Sequence, residues 1–134
     1  MRIKKLIINI VTGFLCLGLV LGIVSLFSEM RRYESDYNKK EETFLYAIQY
    51  KDYPRLLEVS HRNRSMKDGN SERFEEYHGV ADYFQAASYY KMYRENNQPQ
   101  KAEEMKKKME EAKIRMGKYA YLQEEINQIL NNGE

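Results

Sequence analysis

The chain has 134 residues, with 22 lysines and arginines, 20 aspartates and glutamates and a single cysteine, Cys16. This length allows one small domain and an appendage. Three of the cations and one acid precede Met30, so the remaining residues carry 19 charges of each sign and are formally neutral. A neutral segment has no net field that attracts polyanions, so we expect no nucleic-acid binding. Because Cys16 precedes Met30, the remaining residues contain no cysteine and cannot form a disulfide bond among themselves.

The first 29 residues predict a membrane anchor because they contain a long uncharged stretch. The 22 residues from Leu6 to Phe27 include no charged side chain. A helix of this length, at about 1.5 Å per residue, spans roughly 33 Å, and the hydrocarbon core of a bilayer is about 30 Å thick. The alternative is a cleaved signal peptide, whose apolar region is usually about 7–15 residues long. We therefore expect an uncleaved transmembrane helix over 6–27, an anchor over 1–29 and a soluble domain over 30–134.

Charges beside the span predict its orientation. Arg2, Lys4 and Lys5 precede the span, and Arg31, Arg32, Lys39 and Lys40 follow it, so the two counts nearly tie. Cations favour the cytoplasmic side, and a five-residue tail with three cations is hard to translocate. We expect the N-terminus in the cytoplasm and the domain outside it. Within the span, Gly18 and Gly22 form a small-xxx-small pair, which allows two helices to approach closely. A homodimer through this pair is an alternative to ordinary lipid-facing glycines.

The rest of the chain predicts an all-α domain. No segment alternates apolar and polar residues as a strand does, and the spacing predicts about five helices in an antiparallel array with short connections. The predicted helices cover about 30–51, 53–66, 72–96, 100–116 and 119–130. Asp52 is a natural N-cap for the second helix, and Pro54 suits its first turn. Residues 67–70 are expected to form a turn, Ser71 to cap the third helix and Gly117 to end the fourth.

The third predicted helix is unusual because it has apolar residues on two sides. One side comprises Phe74, Tyr77, Val80, Ala81, Phe84 and Ala87, and the other comprises Tyr83, Ala86, Tyr90 and Tyr93. Two apolar faces predict a central helix that is packed on both sides. The last predicted helix has one apolar stripe, formed by Tyr119, Leu122, Ile126 and Ile129.

The junction of the first two predicted helices resembles a known repeat family. The stretch Phe44–Leu57 places Ala47 and Tyr50 three residues apart, before a tight acidic turn and a new apolar helix. This order is similar to the hairpin turn of tetratricopeptide repeats. A second copy is suggested by Ala87, Tyr90, the Asn96-Asn97 turn and Ala102. The resemblance implies stacked helical hairpins with a concave surface that binds peptides.

A repeated Glu-x-x-His pattern is the candidate for metal chemistry. Glu58 and His61 lie in the second predicted helix, and Glu75 and His78 lie in the third. Residues three apart share a helix face, and di-iron bundles hold their metals with such pairs, so a small metal-binding bundle is an alternative function. Glutamate is frequent in this chain, and the flanking helices offer few inward carboxylates. We therefore expect surface or half-buried histidines, and no metal, cofactor or enzyme activity.

Tyrosine is the compositional anomaly, since the chain has 12 tyrosines and no tryptophan. Tyrosine gives rigid, amphipathic contact area and is enriched at interfaces. The residues expected to bind a partner protein are Tyr83, Tyr89, Tyr90 and Tyr93. The alternative is that they fill the wet edges of a core. The sequence thus predicts a non-enzymatic membrane protein with a helical protein- or peptide-binding domain. A regulatory or immunity-type protein that acts on another membrane protein through the span is a third hypothesis.

Overall fold

The computed structural model describes residues 2–66 and 72–131, and of the first nine side chains only that of Ile3. Within these ranges the chain forms five α-helices, no strand, and two 3₁₀ turns, Glu72–Phe74 and Gly117–Tyr119. The helices are α1 (Arg2–Gln49), α2 (Tyr53–Arg64), α3 (Glu75–Glu95), α4 (Pro99–Arg115) and α5 (Leu122–Asn131). The all-α prediction is confirmed for this part of the chain. The predicted span and the first predicted domain helix are both parts of α1.

The chain divides into two compact units, Met1–Lys39 and Lys40–Glu134. The first unit holds the apolar part of α1, which is long and apolar enough to cross a membrane. Every described side chain from Ile10 to Met30 is exposed. The boundary between the two units, after Lys39, lies about ten residues beyond the domain start predicted at residue 30.

The second unit is built around α3, which packs against α2, α4 and α5. Both apolar faces of α3 contribute to the core, since Tyr77 and Val80 are buried on one side and Tyr83 and Ala86 on the other. This confirms the prediction of a central helix packed on both sides. A Cβ atom added at Gly79 would lie 2.7 Å from backbone atoms of Arg115 and Met116, so a residue without a side chain is needed where α3 meets the end of α4.

The helix ends follow the predicted capping chemistry. The Asp52 carboxylate accepts a hydrogen bond from the Arg55 amide at 3.1 Å, and Pro54 lies in the first turn of α2. Gly117 has φ +53°, a left-handed conformation that glycine adopts without strain, and it follows the end of α4. These two predictions are confirmed. The predicted turn over 67–70 and the Ser71 cap lie outside the described residues, and α3 begins later than predicted because 72–74 form a 3₁₀ turn.

The predicted stripe on the last helix is wrong at its final position. Leu122 and Ile126 are buried, but Ile129 is 43% exposed. Leu130 is half-buried instead. The buried stripe continues by a step of four residues from Ile126, so it passes through Leu130 and leaves Ile129 on the exposed side.

Candidate binding surfaces on the helical unit

The structure does not bring the four tyrosines predicted for partner binding onto one surface. Tyr83 is only 4% exposed, and its hydroxyl accepts a hydrogen bond from the Asn127 side-chain amide at 3.0 Å. Burial raises the pKa of the Tyr83 phenol. Tyr83 is therefore a core residue covered by α5, and its prediction as a partner-binding residue is wrong. The other three tyrosines divide between two depressions.

Tyr89 and Tyr93 form the wall of a groove between α3 and α4. Their rings are stacked with centroids 6.2 Å apart, and Tyr89 is 44% exposed. The groove has a volume of about 480 Å³, and Ala86 and Met105, both buried, lie at its base. Charged side chains of both signs line it at Asp82, Lys108, Glu111 and Arg115. We call it the α3/α4 groove.

Tyr90 belongs to a second depression, where α3, α4 and α5 meet. This cleft has a volume of about 340 Å³, and its lining includes Ala87, Tyr90, Lys91, Arg94, Met109 and Leu130. The Arg94 guanidinium lies over the Tyr90 ring, 5.7 Å from its centroid. Sequence reasoning did not single out Lys91 and Arg94. Lys91 and Arg94 lie within about one helical turn of Tyr90, and this proximity was the signal in the sequence that could have identified them. We call this depression the α3/α5 cleft.

The two histidines have different environments. His61 is exposed, as predicted. His78 is 4% exposed, so the prediction of a surface or half-buried side chain is wrong for this residue. Its Nδ1 lies 2.7 Å from the hydroxyl of Ser60, which is fully buried, and its ring meets the Phe44 ring edge-on at 5.6 Å. Ser60 and His78 thus form a buried polar link between α2 and α3.

The Glu-x-x-His residues do not converge. Glu58 pairs with Arg62 at 2.5 Å on the surface, and Glu75 is exposed, whereas His78 points into the core. Among the residues that the structure describes, no group of three or more His, Cys, Asp or Glu side chains is placed to hold a metal ion. The geometry therefore gives the metal-binding alternative no support.

One carboxylate joins three helices. Asp82 on α3 accepts two hydrogen bonds from Arg64 of α2, at 2.8 and 2.7 Å, and lies 2.8 Å from Arg115 of α4. Burial alone raises the pKa of Asp82, but the hydrogen bonds and charges of the two arginines outweigh it, so the pKa is lowered. Its side chain is 19% exposed. Asp82 is an electrostatic link at the edge of the α3/α4 groove.

A second carboxylate fixes the C-terminal part of α1 within the helical unit. Glu41 accepts hydrogen bonds from Arg73 at 2.6 Å and from the Tyr77 hydroxyl at 2.9 Å. The hydrogen bond from Arg73 is the main reason that the pKa of Glu41 is lowered, and burial opposes it. Tyr77 in turn stacks on Phe44 of α1, with centroids 5.0 Å apart.

Gly18, Gly22 and Phe27, which we predicted to lie in the membrane span, are surrounded by open space or exposed. A Cβ atom added to Gly18 or Gly22 would meet no atom within 4 Å, and Phe27 is 60% exposed. The side chain of Leu6 lies outside the described part of the structure. Gly18 lies in a shallow indentation with Val11, Phe14, Leu15 and Leu19.

Comparison of the chain with protein-family models, curated proteins and solved structures finds no match. The tetratricopeptide resemblance therefore depends only on the residues quoted for it. The geometry of the two depressions and the exposed apolar helix are the observations on which function is argued.

Proposed function

We propose that this chain is a single-pass membrane protein that presents a non-enzymatic, protein-binding helical domain at the membrane surface. The N-terminus lies in the cytoplasm and the domain lies outside it. The binding surface is the α3/α4 groove. The observation that carries the proposal is the stacked pair of the exposed Tyr89 and the half-buried Tyr93 above an apolar base.

The membrane assignment is supported by the exposure of the apolar half of α1. Every described side chain from Ile10 to Met30 is exposed, and the uncharged stretch is long enough for a bilayer. A water-soluble protein rarely exposes so large a contiguous apolar surface, because each square ångström of it costs about 25 cal/mol in water. The three cations before the span support a cytoplasmic N-terminus.

The chemistry of the α3/α4 groove suits a protein ligand. Its volume of about 480 Å³ falls in the range of about 300–1,000 Å³ that is usual for ligand sites. Tyrosine side chains bury a large area with few rotatable bonds, which keeps the entropic cost of binding low. Lys108 and Glu111 line the groove with opposite charges, like the polar rim of many protein interfaces.

We further propose that α3 and α4 form an antiparallel helical hairpin. Gly79, near the start of α3, faces the backbone of Arg115 and Met116 at the end of α4. The connection Asn96–Gln98 is short, and Asn97 has φ +52°, which reverses the chain sharply. Such a hairpin places one continuous groove along the two helices, and it is consistent with the tetratricopeptide-like turn.

Photo-crosslinking tests the groove. A benzoylphenylalanine placed at Tyr89 or Tyr93 in the full chain, in membranes of the source cells, is expected to give the same discrete protein adduct. The matched control is Tyr121, which is 67% exposed and outside the groove, and it should give no such adduct. The proposal fails if positions 89 and 93 give no adduct, or if position 121 gives the same one.

Replacing 6–27 by an unrelated span should leave the adduct in place, and its loss would favour recognition through the span.

A topology fusion tests the orientation. A reporter that is active only outside the cytoplasm, fused after Glu134, is expected to be active because the three cations before the span retain the N-terminus inside. The same fusion with a reporter that requires the cytoplasm should be inactive. Replacing Arg2, Lys4 and Lys5 by glutamine should weaken this bias. An active cytoplasmic reporter on the unmodified chain would overturn the orientation.

A further inference from the structure

The α3/α5 cleft lies on a different side of α3 from the groove, and it has its own chemistry. Its floor is apolar, because Ala87 is 3% exposed and Met109 and Leu130 are half-buried. Tyr90 forms an aromatic wall that is also half-buried. The lining is thus mixed, since Arg94, Glu95 and Asn127 supply polar atoms and Ala87, Met109 and Leu130 supply apolar surface.

The charges at the cleft are unequal. Lys91 donates to the carbonyl oxygen of Leu130 near the C-terminal end of α5 and lies 3.7 Å from Glu95, so its charge is balanced by that carboxylate and by the negative end of the helix. Arg94 is exposed and lies over the Tyr90 ring. Within the described residues Arg94 forms no ion pair. Among the residues that the structure describes, no carboxylate pairs with Arg94, and the cleft keeps this one positive charge.

We propose that the α3/α5 cleft binds an acidic side chain of a partner protein, with Arg94 pairing the carboxylate and the apolar floor holding the neighbouring apolar residue. One unbalanced guanidinium matches the single charge of a carboxylate, and its planar donors suit that group. The guanidinium lies over the Tyr90 ring, and this cation–π contact lowers the side-chain entropy that Arg94 loses on binding. A free dicarboxylate leaves the floor of Ala87 and Met109 in contact with water, so the partner is a peptide segment rather than a metabolite.

This inference rests on the proposed protein-binding role but not on the groove. Each site has its own methionine, since Met109 lines the cleft and Met105 lines the groove. Methyl-labelled methionine in the full chain, in detergent micelles, therefore gives one NMR probe for each site. The ligands are N-acetylated Leu-Glu-Leu-Glu amide, its glutamine counterpart Leu-Gln-Leu-Gln, and glutarate.

We expect the glutamate peptide to shift the Met109 methyl signal in a saturable way and to leave the Met105 signal in place. The glutamine peptide should bind about tenfold more weakly, because a charge-assisted hydrogen bond is roughly twice as strong as a neutral one. Arg94→Gln should cause a similar loss, and Arg94→Lys a smaller one. The matched control is Lys101→Gln, since Lys101 also lies over a tyrosine, Tyr93, 5.4 Å from its centroid, but outside the cleft lining; this variant should bind normally.

Five results would overturn the inference, and the first four concern affinity at the cleft. These four are no Met109 shift up to about 1 mM peptide, equal binding of the two peptides, normal binding by Arg94→Gln, and glutarate binding as tightly as the glutamate peptide. A shift of Met105 without Met109 would also overturn it, because it would place the peptide in the groove. Crosslinks from Tyr89 and Tyr93 are a separate measurement, so failure of the groove proposal is distinguishable from failure here.

Discussion

Gly79→Ala is expected to lower the free energy of unfolding of the helical unit by about 2 kcal/mol, although alanine is intrinsically better than glycine in a helix by about 1 kcal/mol. An added Cβ would lie 2.7 Å from the carbonyl carbon of Arg115 and 2.7 Å from the amide nitrogen of Met116. Both are backbone atoms, so a side-chain rotation cannot relieve the clash. The end of α4 must move away from α3, and the packing beside the groove is lost.

Urea unfolding in detergent, followed by tyrosine fluorescence, measures this effect. The matched control is Gly18→Ala, where the new Cβ meets no atom within 4 Å and the stability of the helical unit should not change. The tyrosine crosslinks of the groove should weaken in Gly79→Ala and persist in Gly18→Ala. Unchanged or increased stability of Gly79→Ala would show that the two helices are not in backbone contact at this point.

The elements of the fold were predictable because their signals are local. The cap formed by Asp52 and the Pro54 start of α2 involve residues within one turn of each other. The same holds for Gly117, whose positive φ follows the end of α4. The two-sided burial of α3 also follows from the sequence, because a helix with two apolar faces must find partners for both.

The candidate site was less predictable because it depends on how closely neighbouring helices cover each part of α3. Tyr83 and Tyr90 are seven residues apart, so they lie on nearly the same stripe of α3. Asn127 of α5 contacts the Tyr83 hydroxyl and Tyr83 is buried, whereas Tyr90 is half-buried beside a cleft that Leu130 of α5 also lines. Periodicity gives the face of a residue, but it does not give the length over which a second helix covers that face.

Long-range pairs were also missed, and His78 is the clearest example. In the core its Nδ1 contacts the hydroxyl of Ser60, which lies eighteen positions earlier on α2. One signal was present, since Ser60 follows Leu56 by four residues and therefore shares its buried face. A serine on an apolar helix face indicates a buried polar partner, but the sequence does not say which residue that partner is.

Asp82→Ala is expected to have an effect as large as that of Gly79→Ala. The substitution leaves Arg64 and Arg115 facing each other without the carboxylate that both contact. Removing one partner of a fully buried ion pair costs about 3–5 kcal/mol. Since the Asp82 side chain is 19% exposed, we expect a loss of about 2 kcal/mol at pH 7. Glu104→Ala is the control, because its pair with Lys108 is on the surface and at most about 0.5 kcal/mol should be lost.

The pH dependence separates the charge of Asp82 from its packing. Its pKa is lowered in the folded protein, so its ionised form contributes stability above the unfolded value of about 3.9. That contribution is lost as the pH falls through the lower folded pKa. The stability difference between the unmodified chain and Asp82→Asn, which keeps the size of the side chain, should therefore be constant near pH 7 and shrink below about pH 4. Glu41 and Glu125 also have lowered pKa values, but both proteins retain them, so they cancel in the difference. A difference that stays constant down to pH 2 would mean that the charge of Asp82 does not contribute to the stability of the folded protein.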